Sequence, residues 1–317
     1  MSFFPRTFQN RHVASKAQAA VAPGRARSLD QSVERLRPHA YFVVSAVFHY
    51  LGPAFAVLLF ARIDVLGVVW LRIASAAVIF ALWRSPWRVW RKLNRETRRL
   101  LLGWGGVLAV MNSCFYIAID RLPLGTVAAI EFVPVIALAG LAARTVRNAL
   151  ALLLAVLGVY LLTDVRLAAE PVGVAFAAAN AVLFALYIVL GHRVAQSDLI
   201  RGIDGLSLAM LIALVVAFPI GIRGAAPAFI DPAEMAAAVG VGICSSVVPY
   251  VCDQLAMARL TRATYALMVS LLPATATVIG VLVLTQVPTA IESIGVVLVI
   301  AGVATHKVAA RPARHPS

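Results

Sequence analysis

Residues 110–128 read VMNSCFYIAIDRLPLGTVA, and residues 248–266 read VPYVCDQLAMARLTRATYA. Laid together at a shift of 138 positions, they agree without a gap at seven of 19 places: Val110/Val248, Cys114/Cys252, Ala118/Ala256, Arg121/Arg259, Leu122/Leu260, Thr126/Thr264 and Ala128/Ala266. In both copies an Arg-Leu step sits between two long apolar runs. The chain therefore carries one apolar hairpin twice, and an internal repeat settles architecture before any local feature does.

The surroundings of the two hairpins are of the same kind. The chain has 317 residues, 62% hydrophobic and 13% charged, with mean hydropathy +0.90. A soluble domain is nearer a quarter charged, so a cytosolic globule, a disordered chain and a disulfide scaffold are excluded. Ten apolar segments are expected as spans, at about 40–60, 65–83, 100–119, 124–142, 148–162, 172–191, 206–222, 235–257, 264–284 and 290–305. They are too long and unbroken for barrel strands, which alternate over ~10 residues. The three cysteines, Cys114, Cys244 and Cys252, all lie in apolar stretches. They lack metal-ligand spacing and read as small core residues.

The +14 net charge is an orientation signal. Of 28 Lys and Arg, 23 fall in the two tails and the loops of one side, 4 (Arg62, Arg121, Arg166, Arg223) on the other, and Arg72 inside a span. Cytoplasmic loops collect Lys and Arg, so both termini are expected in the cytoplasm, with membrane lipid as a partner of the basic face. Nucleic acid is not an expected partner. The expected organisation is a disordered basic tail over 1–39, five-helix repeats over 40–165 and 166–305, and a cytoplasmic tail over 306–317. An odd number of spans per repeat inverts the second half relative to the first. The fold class is thus an all-α integral membrane protein, ten helices as two inverted five-helix repeats. That symmetry is the mark of a secondary transporter with a midplane site.

Charge inside the bilayer is costly, roughly 2.5–3.5 kcal/mol on insertion scales. Arg72 and Glu131 each lie seven residues past the start of a span, about 10 Å deep at 1.5 Å per residue. They are expected to meet as an ion pair, serving either as a substrate-binding wall or as a structural pair. Asn112 and Tyr116 are four apart on one helical face, and Asn180 and Tyr187 seven apart. These six residues form the expected substrate site. His49 and Tyr50 are weaker candidates near a span end. Asp253 and Glu131 are the proton-coupling candidates; the alternative for Asp253 is pairing with Arg259 or Arg262. Pro134 and Pro273 are expected to break two corresponding spans and free backbone carbonyls. Metalloprotease, diphosphate, phosphate-loop and nucleophile-elbow motifs are all missing. No enzyme activity, cofactor or metal is expected, and any transport is secondary.

Several segments resemble a known family: Leu71-Arg72, Ser85-Pro86-Trp87-Arg88, Met111-Asn112, Phe115-Tyr116, Leu122-Pro123-Leu124-Gly125, Glu131-Phe132, Tyr187-Ile188, Val248-Pro249-Tyr250 and Leu271-Leu272-Pro273-Ala274. Over roughly residues 40–305 the chain resembles the EamA-type members of the drug/metabolite transporter superfamily, in the threonine/homoserine exporter branch. The resemblance implies alternating access in the cell inner membrane. It also implies efflux of small polar metabolites, amino acids such as threonine or homoserine first, in exchange for protons. A permease for another metabolite or drug-like solute and a non-transporting receptor or scaffold are the alternatives. A monomer or a homodimer is expected. Two family carboxylates are replaced here, by Leu272 and Gln286, which leaves Glu131 and Asp253 to carry protons. The orientation is tested by carboxy-terminal fusions: a fused green fluorescent protein is expected to fluoresce, and a fused alkaline phosphatase to be inactive.

Overall fold

The computed structural model describes residues 38–142, 145–167, 170–195, 200, 202–259 and 271–305. Every regular element among these described residues is helical: α1 Pro38–Leu59, α2 Val65–Arg84, α3 Pro86–Trp90, α4 Arg95–Arg121, α5 Leu124–Ala142, α6 Val146–Leu167, α7 Pro171–Ala195, α8 Gly202–Gly221, α9 Pro232–Gly242, α10 Val248–Arg259, α11 Leu272–Leu284 and α12 Ala290–Thr305. A 3₁₀ turn spans Ala226–Phe229, and a π turn, Ile243–Val247, joins α9 to α10. Helix stands on all ten expected segments, wholly or in part. Six stretches are long and apolar enough to cross a membrane: Ala40–Leu59, Val65–Arg84, Arg95–Arg121, Pro171–Val194, Ile203–Gly221 and Pro232–Asp253. Leu124–Pro134, Val146–Leu162, Leu272–Leu284 and Ala290–Thr305 are shorter apolar helices. This is a multi-pass membrane protein. Of the expected tail over 1–39, residues 1–37 lie outside the described residues, as do 306–317 and most of the second hairpin's turn, while Pro38 and His39 already belong to α1.

Helix ends are set by local chemistry. Asp64 caps α2, accepting from the Leu66 N–H at 2.9 Å, and Asn94 caps α4 through the Thr97 N–H at 2.8 Å. Short polar side chains do this because the first turn's N–H groups have no partner within the helix. Ser85 ends α2 at φ 48°, and Pro86 opens α3; the expected 84–99 loop therefore contains one short helix. Thr289 and Glu292 reciprocate at the start of α12. Glu292 accepts from the Thr289 N–H at 2.8 Å, and the Glu292 N–H donates to Thr289 Oγ1 at 3.3 Å, a capping box.

Between spans the packing uses small residues and a few polar ties. α4 lies against α7 and α8, α2 against α8 and α9, α1 against α10 and α11, and α6 against α12. Arg84 in the last turn of α2 pairs with Asp204 in the first turn of α8 at 2.8 Å. α6 and α12 approach almost backbone to backbone. A Cβ on Gly158 would stand 2.6 Å from the Gly295 carbonyl oxygen, and one on Gly302 would stand 2.7 Å from that of Ala151. The residues of the two contacts correspond under a shift of 144, Ala151 with Gly295 and Gly158 with Gly302. Lipid tails are as apolar as the helices, so such close contact is what holds helices together in a bilayer. Gly158→Leu is expected to cost about 1–3 kcal/mol through overpacking and to lower the melting temperature in detergent. Gly103→Ala, where the added Cβ meets nothing within 4 Å, is expected to leave it unchanged or raised.

Candidate functional site

The site begins with a proline. Pro249 has no N–H for the Ser245 carbonyl, its α-helical partner four residues earlier, and its ring crowds that carbonyl. The helix widens into the π turn Ile243–Val247 just before it. Such turns put backbone groups to other uses. Here Arg72 Nη2 donates to the Ser245 carbonyl at 3.0 Å, and Arg72 Nε donates to Ser246 Oγ at 3.0 Å. Sequence reasoning did not single out Ser245 or Ser246. The signal was present, since two serines precede a mid-span proline in Cys-Ser-Ser-Val-Val-Pro.

Arg72 comes from α2 and is 5% exposed. Its Nη1 donates to Asn112 Oδ1, and the guanidinium carbon lies 5.1 Å from the centre of the Tyr116 ring. Asn112 is held in turn, its Nδ2 donating to the Leu108 carbonyl at 2.7 Å. The one-face reading of Asn112 and Tyr116 thus describes their real position: both serve Arg72. The expected Arg72–Glu131 ion pair does not form. The helix carrying Arg72 packs on α4, α8, α9 and the π turn, whereas the helix carrying Glu131 packs on α7, α6, α11 and α12. Equal depth did not imply facing helices.

Glu131 is 5% exposed on α5, whose Pro134 leaves the adjacent Ile130 carbonyl without its helical donor. Asn180 Nδ2, from α7, donates to Glu131 Oε1 at 3.1 Å. Asn180 is fully buried, and among the described residues its Oδ1 has no partner and the buried Tyr50 hydroxyl on α1 has none either. Buried polar atoms normally find partners; the Tyr116 hydroxyl beside Arg72 is a further one without a partner among the described residues. Neither Arg72 nor Glu131 has an oppositely charged side chain at ion-pair distance among the described residues.

The remaining candidates fall elsewhere. Tyr187 stacks on Trp104 with ring centres 5.4 Å apart, in a row continued by Phe184 and Phe132. It therefore belongs to an aromatic wall two turns from Asn180. Asp253 is half-buried and accepts from Ser45 Oγ at 2.6 Å, a tie between α10 and α1; Arg262 and the side chain of Arg259 lie outside the described residues. His49 sits edge-on to Tyr50 at 5.1 Å. Pro273 stands in the first turn of α11, where a missing N–H costs nothing, and the residues before Leu271 are not described. Leu272 is partly buried against the apolar cluster of Phe132, Ala151 and Ala155. Gln286 Oε1 accepts from the Leu124 N–H at 3.0 Å, joining the α11–α12 connection to the start of α5.

Comparison with known proteins agrees with this architecture. Residues 171–305 match the EamA-like transporter family. The threonine/homoserine exporter RhtA of Escherichia coli strain K12 is 30% identical over 253 residues, 79% of this chain and 84% of that protein. The threonine/homoserine exporter RhtA of Salmonella typhimurium strain LT2 shows the same identity and coverage.

The geometry around Arg72 makes a prediction for stability. Arg72→Ala leaves the Ser245 carbonyl and Asn112 Oδ1 without their donor and is expected to cost about 1–3 kcal/mol. In a double-mutant cycle read by detergent unfolding, Arg72→Ala and Asn112→Ala are expected to be non-additive by about 0.5 kcal/mol or more. The cycle of Arg72→Ala with Glu131→Ala is expected to show a smaller coupling.

Proposed function

The chain belongs to the EamA-like transporter family, in its threonine/homoserine exporter branch, and on that premise we propose that it exports small zwitterionic amino acids in exchange for protons. The observation that carries this reading is a buried cation and a buried anion that share one apolar interior without pairing. Such an arrangement is costly unless a ligand supplies the opposite charges. A zwitterion does so at both ends.

The chemistry of each group assigns its role. Arg72 has five N–H donors, of which the Ser245 carbonyl, Ser246 and Asn112 take three. The others remain for a substrate carboxylate. Glu131 and the free Asn180 Oδ1 together offer acceptors to a substrate ammonium. Glu131 takes a proton when the ammonium leaves, so one carboxylate serves substrate and proton in turn. Phe132, the next residue, packs on Phe184 in an apolar interior, which favours the exchange of one charge for another over an empty charged site. The two halves of the chain, inverted and each of five spans, rock about this site to expose it alternately. Threonine and homoserine, which the related exporters' names give, are the first substrates to test.

Proteoliposomes loaded with labelled threonine or homoserine provide the test. An outwardly imposed proton gradient, acid outside, is expected to accelerate efflux. Glu131→Gln keeps the shape and the Asn180 hydrogen bond but not the charge, and it is expected to reduce efflux to the rate of empty-vesicle controls. Asn180→Ala is expected to weaken apparent substrate affinity about tenfold, the loss of roughly one charge-assisted hydrogen bond. Gradient-driven efflux at wild-type rate by Glu131→Gln would remove that carboxylate from the mechanism.

A further inference from the structure

On the far side of the π turn from Arg72, a groove of about 580 Å³ runs between α1 and α9. Its walls are apolar and open outward. Phe55 is 42% exposed and Leu58 57%, and Ala237, Gly240 and Cys244 line the opposite side. A Cβ on Gly240 would meet nothing within 4 Å, so the groove is open at its midpoint. At its mouth stand Arg62 and Glu234, 3.8 Å apart, with Arg62 69% exposed and Glu234 13%.

Two features select the occupant. From Glu234 to Cys244 the chain advances ten residues, about 15 Å at helical rise. That is half of the ~30 Å hydrocarbon thickness, hence one leaflet. The groove therefore has the depth of one acyl chain, in walls that belong in lipid. At the mouth a cation and an anion stand side by side, too far apart to satisfy each other fully. They complement a headgroup that carries both charges on neighbouring atoms. Arg62 is suited to the phosphate, as a guanidinium fork is, and Glu234 to a primary ammonium that donates hydrogen bonds. We propose that this groove binds one phospholipid of the phosphatidylethanolamine class, with phosphate on Arg62, ammonium on Glu234 and an acyl chain reaching Cys244. Cys244 adjoins Ser245 and Ser246, so the lipid tail braces the back of the turn that holds Arg72.

The headgroup reading separates this lipid from its neighbours. Phosphatidylglycerol has the phosphate but no cation for Glu234. Phosphatidylcholine has a cation that cannot donate a hydrogen bond. The full chain, purified in mild detergent, is titrated with each of the three lipids at matched acyl length, and bound lipid is counted by native mass spectrometry. The wild type is expected to bind one phosphatidylethanolamine about fivefold more tightly than either competitor. Glu234→Gln is expected to erase the preference over phosphatidylcholine while binding persists. Arg62→Ala weakens all three lipids. Gly240→Leu, which fills the groove without meeting another atom at Cβ, removes the bound lipid while the melting temperature without added lipid is unchanged. Equal binding of the three lipids by the wild type overturns the proposal. So does an unaltered preference in Glu234→Gln, whatever Gly240→Leu does. These readouts need no transport, so they stand or fall apart from the exporter reading.

Discussion

A guanidinium in an apolar interior has to be satisfied, and much of this structure is organised around the way Arg72 is. Five donors cannot be left bare in hydrocarbon. The nearest solution was a carboxylate, and the protein does not use it. It supplies a backbone carbonyl, a serine hydroxyl, an asparagine and the face of Tyr116. The carbonyl is available because Pro249 cannot serve it, and the turn that presents it exists because the same proline crowds the helix. One residue without an N–H thus determines how the second half of the chain grips the first.

Because Arg72 is neutralised by dipoles and not by a counter-ion, its charge persists. Glu131 likewise has no counter-ion among the described residues and meets only an amide. Leaving the two unpaired keeps a field across the core that a collapsed ion pair would cancel. The partnerless Asn180 Oδ1 fits the same economy of unsaturated groups. An aromatic row runs from Trp104 through Tyr187 and Phe184 to Phe132, the residue after Glu131.

Much of this was legible before any coordinates. The buried charges, Asn112, Tyr116 and Asn180 stood out because polar side chains in apolar runs are expensive and therefore few. Tyr187 shared the periodicity of Asn180 but turned to Trp104, since a shared helical face says nothing of what lies opposite it. Ser245 and Ser246 escaped notice because serine is tolerated anywhere in a span, so its presence carries little signal without the proline beside it. The 235–257 run read as one helix because a π turn changes hydrogen-bond register and not hydrophobicity. Asp253, read as a partner of cytoplasmic arginines or a proton site, bonds to Ser45, 208 positions away in the chain.

Sequence alone determined the solvent, the helical class, the repeated hairpin and the short list of polar residues. These follow from composition and period, which are local properties of a chain in a bilayer. Which of those residues meet was decided only by tertiary structure. Depth along a helix can be counted from its ends, but the azimuth at which two helices face one another depends on every contact around them. Arg72 and Glu131 have the same depth and different neighbours, and for that reason the pair expected from counting is in fact two sites of opposite charge.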